Sequence, residues 1–298
     1  MIFADIVMMA AANILKKGGK MDFNGKIVVV TGAASGIGRE TARAFASRGA
    51  DLALADINEE GLQKIKKELE SQGRKVFAQV VDVSVAEQVE DFCDKVYEEM
   101  GRVDILCNNA GIAIAGRLED LTLADWQEII AVNLWGVIYG CHYFYPRMIE
   151  QGGGGHIVNT ASGAGLAPLN LLVAYCTTKY GVVGFSETLR AEAALHGIRV
   201  SALCPGIVIT NITKTSRMTT DTAHSTSDEL MEKMHSFYTW RNYTPDKVAA
   251  AVVRGVEKNI GIIRAGAETY IGDWMHRLSR RLLDAFTRSG VKFMLERL

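Results

Sequence analysis

An apolar run, Lys26-Ile27-Val28-Val29-Val30, leads directly into Thr31-Gly32-Ala33-Ala34-Ser35-Gly36-Ile37-Gly38 and then into a helix-like stretch from Arg39 to Arg48. No other segment limits the fold so tightly. Glycines 32, 36 and 38 permit a tight turn and a close approach of backbone. The helix that follows offers unpaired N–H groups and a partial positive charge at its N-terminus, a setting suited to a pyrophosphate. The spacing is G-x-x-x-G-x-G, not the commoner G-x-G-x-x-G. A glycine-rich turn can be a mere connection, but a strand before it and a helix after it are the context of a dinucleotide-binding unit.

Asp51-Leu52-Ala53-Leu54-Ala55-Asp56 is a second short apolar strand. It ends in a carboxylate about where the ribose-binding acid of such a unit falls. Asp56 would accept hydrogen bonds from ribose hydroxyls and repel a 2′-phosphate, which favours NAD over NADP. The competing reading is a strand-end Asp that caps the next helix, a task for which Asn58 is also placed. Arg39 pulls the other way, since a guanidinium near the turn can pair with a 2′-phosphate.

Further along, Tyr175 and Lys179 stand four residues apart, with Ser162 thirteen residues before Tyr175. On a helix over residues 173 to 196, positions i and i+4 share a face, so the ammonium lies beside the phenol. A fixed cation favours the phenolate and makes the tyrosine a usable general acid and base. Ser162 follows the strand His156-Ile157-Val158-Asn159-Thr160 and can donate to an oxygen on which negative charge develops. Alone, the pair is weak, because amphipathic helices often place a buried-edge Tyr one turn before a solvated Lys.

Together these residues resemble the short-chain dehydrogenase/reductase superfamily, whose motifs are T-G-x-x-x-G-x-G and Y-x-x-x-K. The resemblance covers roughly residues 22 to 265. It extends to Asp82-Val83, placed near the adenine; to Asn108-Asn109-Ala110-Gly111, which supports the sheet and adenine site; and to Asn133 in the long helix before Ser162. Pro205-Gly206 with Val208 and Thr210 matches the segment that runs beside the nicotinamide. Val182, not a lysine, stands seven residues after Tyr175, which argues against the Y-x6-K branch. The resemblance implies a catalytic set of Asn133, Ser162, Tyr175 and Lys179. It implies cofactor contacts from Gly32, Ser35, Gly36, Ile37, Gly38, Asp56, Asp82, Val83, Asn109, Ala110, Gly111, Tyr175, Lys179, Pro205, Gly206, Val208 and Thr210. In oxidation Tyr175 takes the alcohol proton as hydride passes to the nicotinamide. Lys179 holds phenolate and ribose, Ser162 orients the oxygen, and Asn133 keeps a water linking Lys179 to solvent.

Apolar runs at 75–81, 103–107, 156–160, 198–204 and 261–264 join the first two, alternating with helical stretches in the rhythm of a parallel sheet. The fold class is therefore α/β, a doubly wound single domain. The resemblance implies seven strands in the order 3-2-1-4-5-6-7. With 298 residues, 48% of them hydrophobic, a core covered on both faces is well supplied. A net charge of −1 gives no reason for a nucleic-acid partner. Five cysteines without a C-x-x-C pair or a histidine cluster imply neither disulfide nor metal.

The polar run 213–227 followed by helical spacing over 228–240 reads as a lid, about 211–243, inside a catalytic unit of 22–266. Ile112, Ile114, Leu118, Leu166, Leu169 and Leu172 are taken to surround the site, with no charged anchor beyond Lys179. An uncharged, hydrophobic secondary alcohol or ketone fits them. The alternatives are an NADPH-dependent ketoreductase of the 3-oxoacyl-thioester type and a non-catalytic cofactor-binding scaffold. Residues 1–21 are expected to form an apolar, helical extension, too short to span a bilayer comfortably and without the basic lead of a signal peptide. The chain is thus expected in the cytoplasm. The tail 267–298 places Trp274, Leu278, Leu282, Ala285 and Phe286 on one face, with Arg277, Arg280, Arg281 and Arg288 elsewhere. It suits peripheral membrane contact, a subunit interface or cover for the pocket. Relatives imply a homodimer or homotetramer.

Overall fold

The computed structural model describes residues 22–209, 217–219, 242–281, 283–285 and 287–288. The N-terminal extension, Thr210, most of the expected lid, and Leu282 and Phe286 of the tail lie outside the described residues.

Seven parallel strands form the sheet: β1 (Ile27–Thr31), β2 (Asp51–Asp56), β3 (Val76–Val80), β4 (Ile105–Asn108), β5 (Gly155–Thr160), β6 (Ile198–Pro205) and β7 (Ile262–Ala265). Their order is β3-β2-β1-β4-β5-β6-β7, as the resemblance implied. The order reverses between β1 and β4, where ligands of open α/β sheets lodge beyond the carboxyl ends of the strands.

Both faces of β1 are dry. Val28 and Val30 pack with Phe45 of α1 (Gly36–Ala46), Ile65 of α2 (Glu59–Ser71) and Val252 of α7 (Pro245–Lys258). Val29 packs on the other face with Phe92 of α3 (Ala86–Met100), Phe144 of α5 (Gly136–Glu150) and Leu189 of α6 (Val173–Ala193). This is why the strands read as continuous apolar runs and not as alternations. Each such side chain contributes about 1.5–3 kcal/mol by leaving water.

A five-residue π-helical turn, Ala131–Trp135, joins α4 (Leu123–Ile130) to α5 and carries Asn133. Such turns often occur where a helix must re-aim a side chain at a site. A short parallel pair, Ile114–Ala115 with Arg217–Met218, lies apart from the main sheet. After β7, Gly266 at φ +122° turns the chain into α8 (Ala267–Leu278), which returns over the 163–167 loop. There Gly272 meets Ala167, and His276 Nδ1 lies 2.9 Å from the Leu166 carbonyl.

Candidate active site

The cofactor end begins with the glycine turn. Gly32 and Gly36 adopt φ of +67° and +53°, which residues with a Cβ rarely tolerate. Gly38 answers a different need. A Cβ there would stand 2.1 Å from the Gly32 carbonyl and 2.6 Å from Asn109 Nδ2. Asn109 and Ala110 both donate backbone N–H to Thr31 Oγ1, at 3.0 and 3.1 Å, while Asn109 Nδ2 donates to the Thr31 carbonyl. The turn is thereby locked to the end of β4. Ser35, the residue ahead of α1, makes no side-chain cap, so the first N–H groups of the helix stay available on the cleft wall. An open helix N-terminus between glycines fits a pyrophosphate.

Asp56 ends β2 with both oxygens placed: Oδ2 accepts from Ala34 N–H at 2.8 Å and Oδ1 from Asn58 N–H at 2.9 Å. The helix cap is Asn58, whose Oδ1 accepts from Gly61 N–H. Asp56 therefore ties its strand to the glycine turn while lining the cleft. Arg39 does not line it; its Nε lies 3.6 Å from Glu40. Asp82 accepts from the N–H and hydroxyl of Ser84, and both Asp82 and Val83 reach the cleft.

At the other end, Lys179 is buried and its Nζ donates to the Thr160 carbonyl at 2.9 Å, lying 5.6 Å from the centre of the Tyr175 ring. Burial pulls the Lys179 pKa down to about 8. Ser162 Oγ accepts from Ala164 N–H at 3.1 Å. Asn133 is fully buried and engages Ile112 in both directions: Oδ1 accepts its N–H, and Nδ2 donates to its carbonyl, both at 2.9 Å. A Cβ on Gly111 would come 3.1 Å from Asn133 Oδ1 and 3.5 Å from Lys179 Nζ, so glycine is what lets these groups converge.

All of this opens on one cleft of about 850 Å³. Of the candidates, Gly32, Ser35, Gly36, Ile37, Asp56, Asp82, Val83, Asn109, Ala110, Gly111, Ser162, Tyr175, Lys179, Pro205, Gly206 and Val208 stand on its wall. Gly38 and Asn133 stand behind it.

Several expectations for the substrate end need correction. Ile112, Leu169 and Leu172 line the cleft, but Ile114 and Leu166 are buried in the core and Leu118 is exposed away from it. The expectation of no charged anchor beyond Lys179 also fails, since Glu128 and Glu268 are on the wall. Glu128 pairs with Arg217 at 2.9 Å, and Arg217 also binds Asp125, pinning the short Arg217–Met218 strand to α4. Glu268 and Thr269 come from α8, which no motif marked. The one hint was the run of glycines, 206 and 266, at positions that leave no room beside a carboxylate. Leu171 adopts φ +58° in the loop at this mouth, a strained conformation of the kind that collects at functional sites.

Comparison with known proteins bears on the same residues. The model of the short chain dehydrogenase family matches residues 26–221. A probable oxidoreductase, EphD, of Mycobacterium tuberculosis is 43% identical over 252 residues, which are 83% of this chain and 42% of that protein. The chain thus spans under half the length of that relative. The D-threitol dehydrogenase of Mycolicibacterium smegmatis is 39% identical, over 77% of this chain and 85% of its own. Among solved structures, a short chain dehydrogenase/reductase from Burkholderia phymatum in complex with NAD aligns with a TM-score of 0.81 at 30% identity. That match covers 88% of this chain and 96% of the other.

Proposed function

The chain belongs to the short chain dehydrogenase family, and from that premise we propose that it is an NAD(H)-preferring oxidoreductase interconverting an uncharged, fairly hydrophobic secondary alcohol and its ketone. The observation that carries the reading is the meeting of Tyr175, Lys179 and Ser162 at one end of a cleft whose other end holds Asp56 and the open N-terminus of α1. The nicotinamide, when bound, supplies the hydride acceptor. Tyr175 takes the proton of the alcohol. Lys179, fixed through Thr160, favours the phenolate by its charge, and Ser162 holds the substrate oxygen.

Asp56 and the position of Arg39 support NAD. A 2′-phosphate would meet a carboxylate already placed by two backbone N–H groups, while Arg39 lies beside Glu40. The substrate preference is supported by Ile112, Val132, Leu169, Leu172 and Ile207 on the wall. Among the described residues Lys179 is the one basic side chain on the wall, which offers no site for the phosphate of an acyl thioester's carrier.

The test is the 340 nm initial rate of cofactor reduction across uncharged secondary alcohols, graded from small aliphatic to polycyclic, with NAD⁺ and NADP⁺ in parallel. Rates that rise with size and favour NAD⁺ are expected. Turnover confined to NADPH and acyl thioesters would replace this reading with the ketoreductase. Cofactor binding without turnover in either direction would replace it with the scaffold.

A further inference from the structure

The turn that carries Ser162 is backed from outside the cleft by the C-terminal helix. Ser162, Gly163, Ala164 and Ala167 stand on the cleft wall, whereas Leu166 and His276 stand behind it. Within the turn the bonds are local: Ser162 Oγ accepts from Ala164 N–H at 3.1 Å, Gly165 N–H donates to the Ser162 carbonyl at 2.9 Å, and Leu166 and Ala167 both donate to the Gly163 carbonyl at 3.0 Å. Such bonds fix the shape of the turn but not its place. On one side the place is set by α6, since a Cβ on Gly165 would come 2.6 Å from the Lys179 carbonyl, and Leu166 joins Val182 and Val183 in one buried cluster. On the other it is set by α8. His276 Nδ1 lies 2.9 Å from the Leu166 carbonyl, 110 residues away in sequence. A carbonyl only accepts, so Nδ1 carries the hydrogen. The ring stands edge-on to Tyr180, the residue after Lys179, with centroids 6.4 Å apart.

We propose that His276 is a positioning residue for the substrate side of the reaction, which holds the Ser162 turn against α6 through the Leu166 carbonyl. The inference rests on the alcohol–ketone reading above, in which Ser162 holds the reacting oxygen. A donor aimed at developing charge works only within roughly 0.5 Å of its place. Displacement of Leu166 reaches Ser162 through the Gly163 carbonyl and the Gly165 N–H, both within one turn. An apolar side chain would pack on Tyr180 as well as the imidazole does, but it would give the carbonyl no hydrogen. The cofactor end depends on none of this, because the glycine turn is tied to β4 by Thr31 and to β2 by Asp56. Loss of the His276 donor should therefore fall on turnover and spare cofactor binding.

Steady-state rates with isopropanol, cyclohexanol and borneol, and with their ketones in reverse, test it beside direct NAD⁺ titration. The variants are His276→Leu and His276→Asn; asparagine carries an amide N–H the same number of bonds from the backbone as Nδ1. His276→Leu should lower kcat/KM about tenfold, with much of the loss in kcat, and leave NAD⁺ affinity within about twofold. His276→Asn should return kcat/KM to within about threefold of the wild type. In a Ser162→Ala background the leucine substitution should cost less than about twofold, because the group it positions is gone. Wild-type rates in His276→Leu, an asparagine variant no better than the leucine one, or a full further loss in the Ser162→Ala background would each overturn the proposal. Equal losses of turnover and NAD⁺ affinity would reduce His276 to a prop for the fold and overturn it too. Should His276→Leu fail to fold, His276→Gln, whose donor stands one bond further out, takes its place with the same fall expected. A wild-type protein that binds NAD⁺ yet turns over none of these alcohols or ketones would overturn the alcohol–ketone reading itself, and the role of His276 with it.

Discussion

The two halves of the sheet are tied at their amino ends by different chemistry. Beneath β1 and β4 the tie is a carboxylate: Asp104 accepts from the Ile27 N–H at 3.0 Å and pairs with Lys26 at 3.1 Å and Arg102 at 2.9 Å. Beneath β5, β6 and β7 the tie is neutral and buried. Ser201 donates its hydroxyl hydrogen to the Ile260 carbonyl at 2.6 Å, so the His156 Nε2 that lies 2.7 Å from it must be the donor in that contact. The carboxyl ends differ in how far their parts are drawn from. The first half ends in a glycine turn locked by neighbouring backbone, the second in Ser162, Pro205–Gly206 and Glu268, brought together from distant segments. A half built from one contiguous motif should tolerate little change to its backbone and little affect chemistry, whereas the second half should do the reverse.

The largest effect expected separates chemistry from binding. Tyr175→Phe removes the proton-transfer group, and turnover should fall about 10³-fold. Cofactor affinity should hold, because Lys179 is anchored to the Thr160 carbonyl and not to the phenol. Paired kinetic and binding titrations read both. Ordinary turnover in the variant would remove Tyr175 as the acid/base and erase the contrast on its chemical side.

A smaller effect tests the structural side. In Gly38→Ala the new methyl meets backbone at 2.1 Å, which cannot give way without moving the turn. A loss of about 3 kcal/mol in urea denaturation is expected, with weakened cofactor binding. Leu169→Ala, half-exposed on the substrate wall, should change stability by no more than about 0.5 kcal/mol and alter mainly KM. Equal destabilisation in both would show that the halves do not differ in rigidity.

The same division explains what could be read from the sequence. The expected helix from 173 was met by α6, Val173–Ala193, with a further 3-10 turn at Ala194–His196, since its start and end are local matters. Strand order was met as the family resemblance implied it, and strand ends moved by only a residue or two, as at Ile105–Asn108 against an expected 103–107. What escaped notice was long-range. Nothing in Ala267-Glu268-Thr269 announces that α8 folds back on the Ser162 loop, and nothing in Arg217 announces its bonds to Asp125 and Glu128. Ile114 and Leu166 read as pocket residues because hydrophobicity cannot tell a wall from the core behind it. The π-helical turn that carries Asn133 has no composition of its own, and its Asn133 meets Ile112, 21 residues away.

The smallest effect is a pH dependence confined to the second half. Burial, with Arg190 and Arg199 nearby, brings the pKa of His156 down from 6.5 to about 3. The unfolded chain takes up a proton near 6.5 and the folded chain does not until far lower. Between those values the unfolded state binds more protons, so stability falls as pH is lowered through that window and is fully present above it. The loss attributable to this group by pH 5.5 should be about 1.4 kcal/mol, since each unit of separation is worth that much. His156→Gln retains a donor for Ser201 and cannot titrate. It should start less stable at pH 7.5 but lose correspondingly less on acidification. Equal slopes in denaturation curves from pH 8 to 5 would locate the acid sensitivity elsewhere. Amide exchange then sharpens the comparison: as pH falls below 6.5, with rates corrected for intrinsic exchange, β5 to β7 should lose protection before β1 and β4, because opening the second half exposes a histidine that is neutral when buried and takes up a proton once in water.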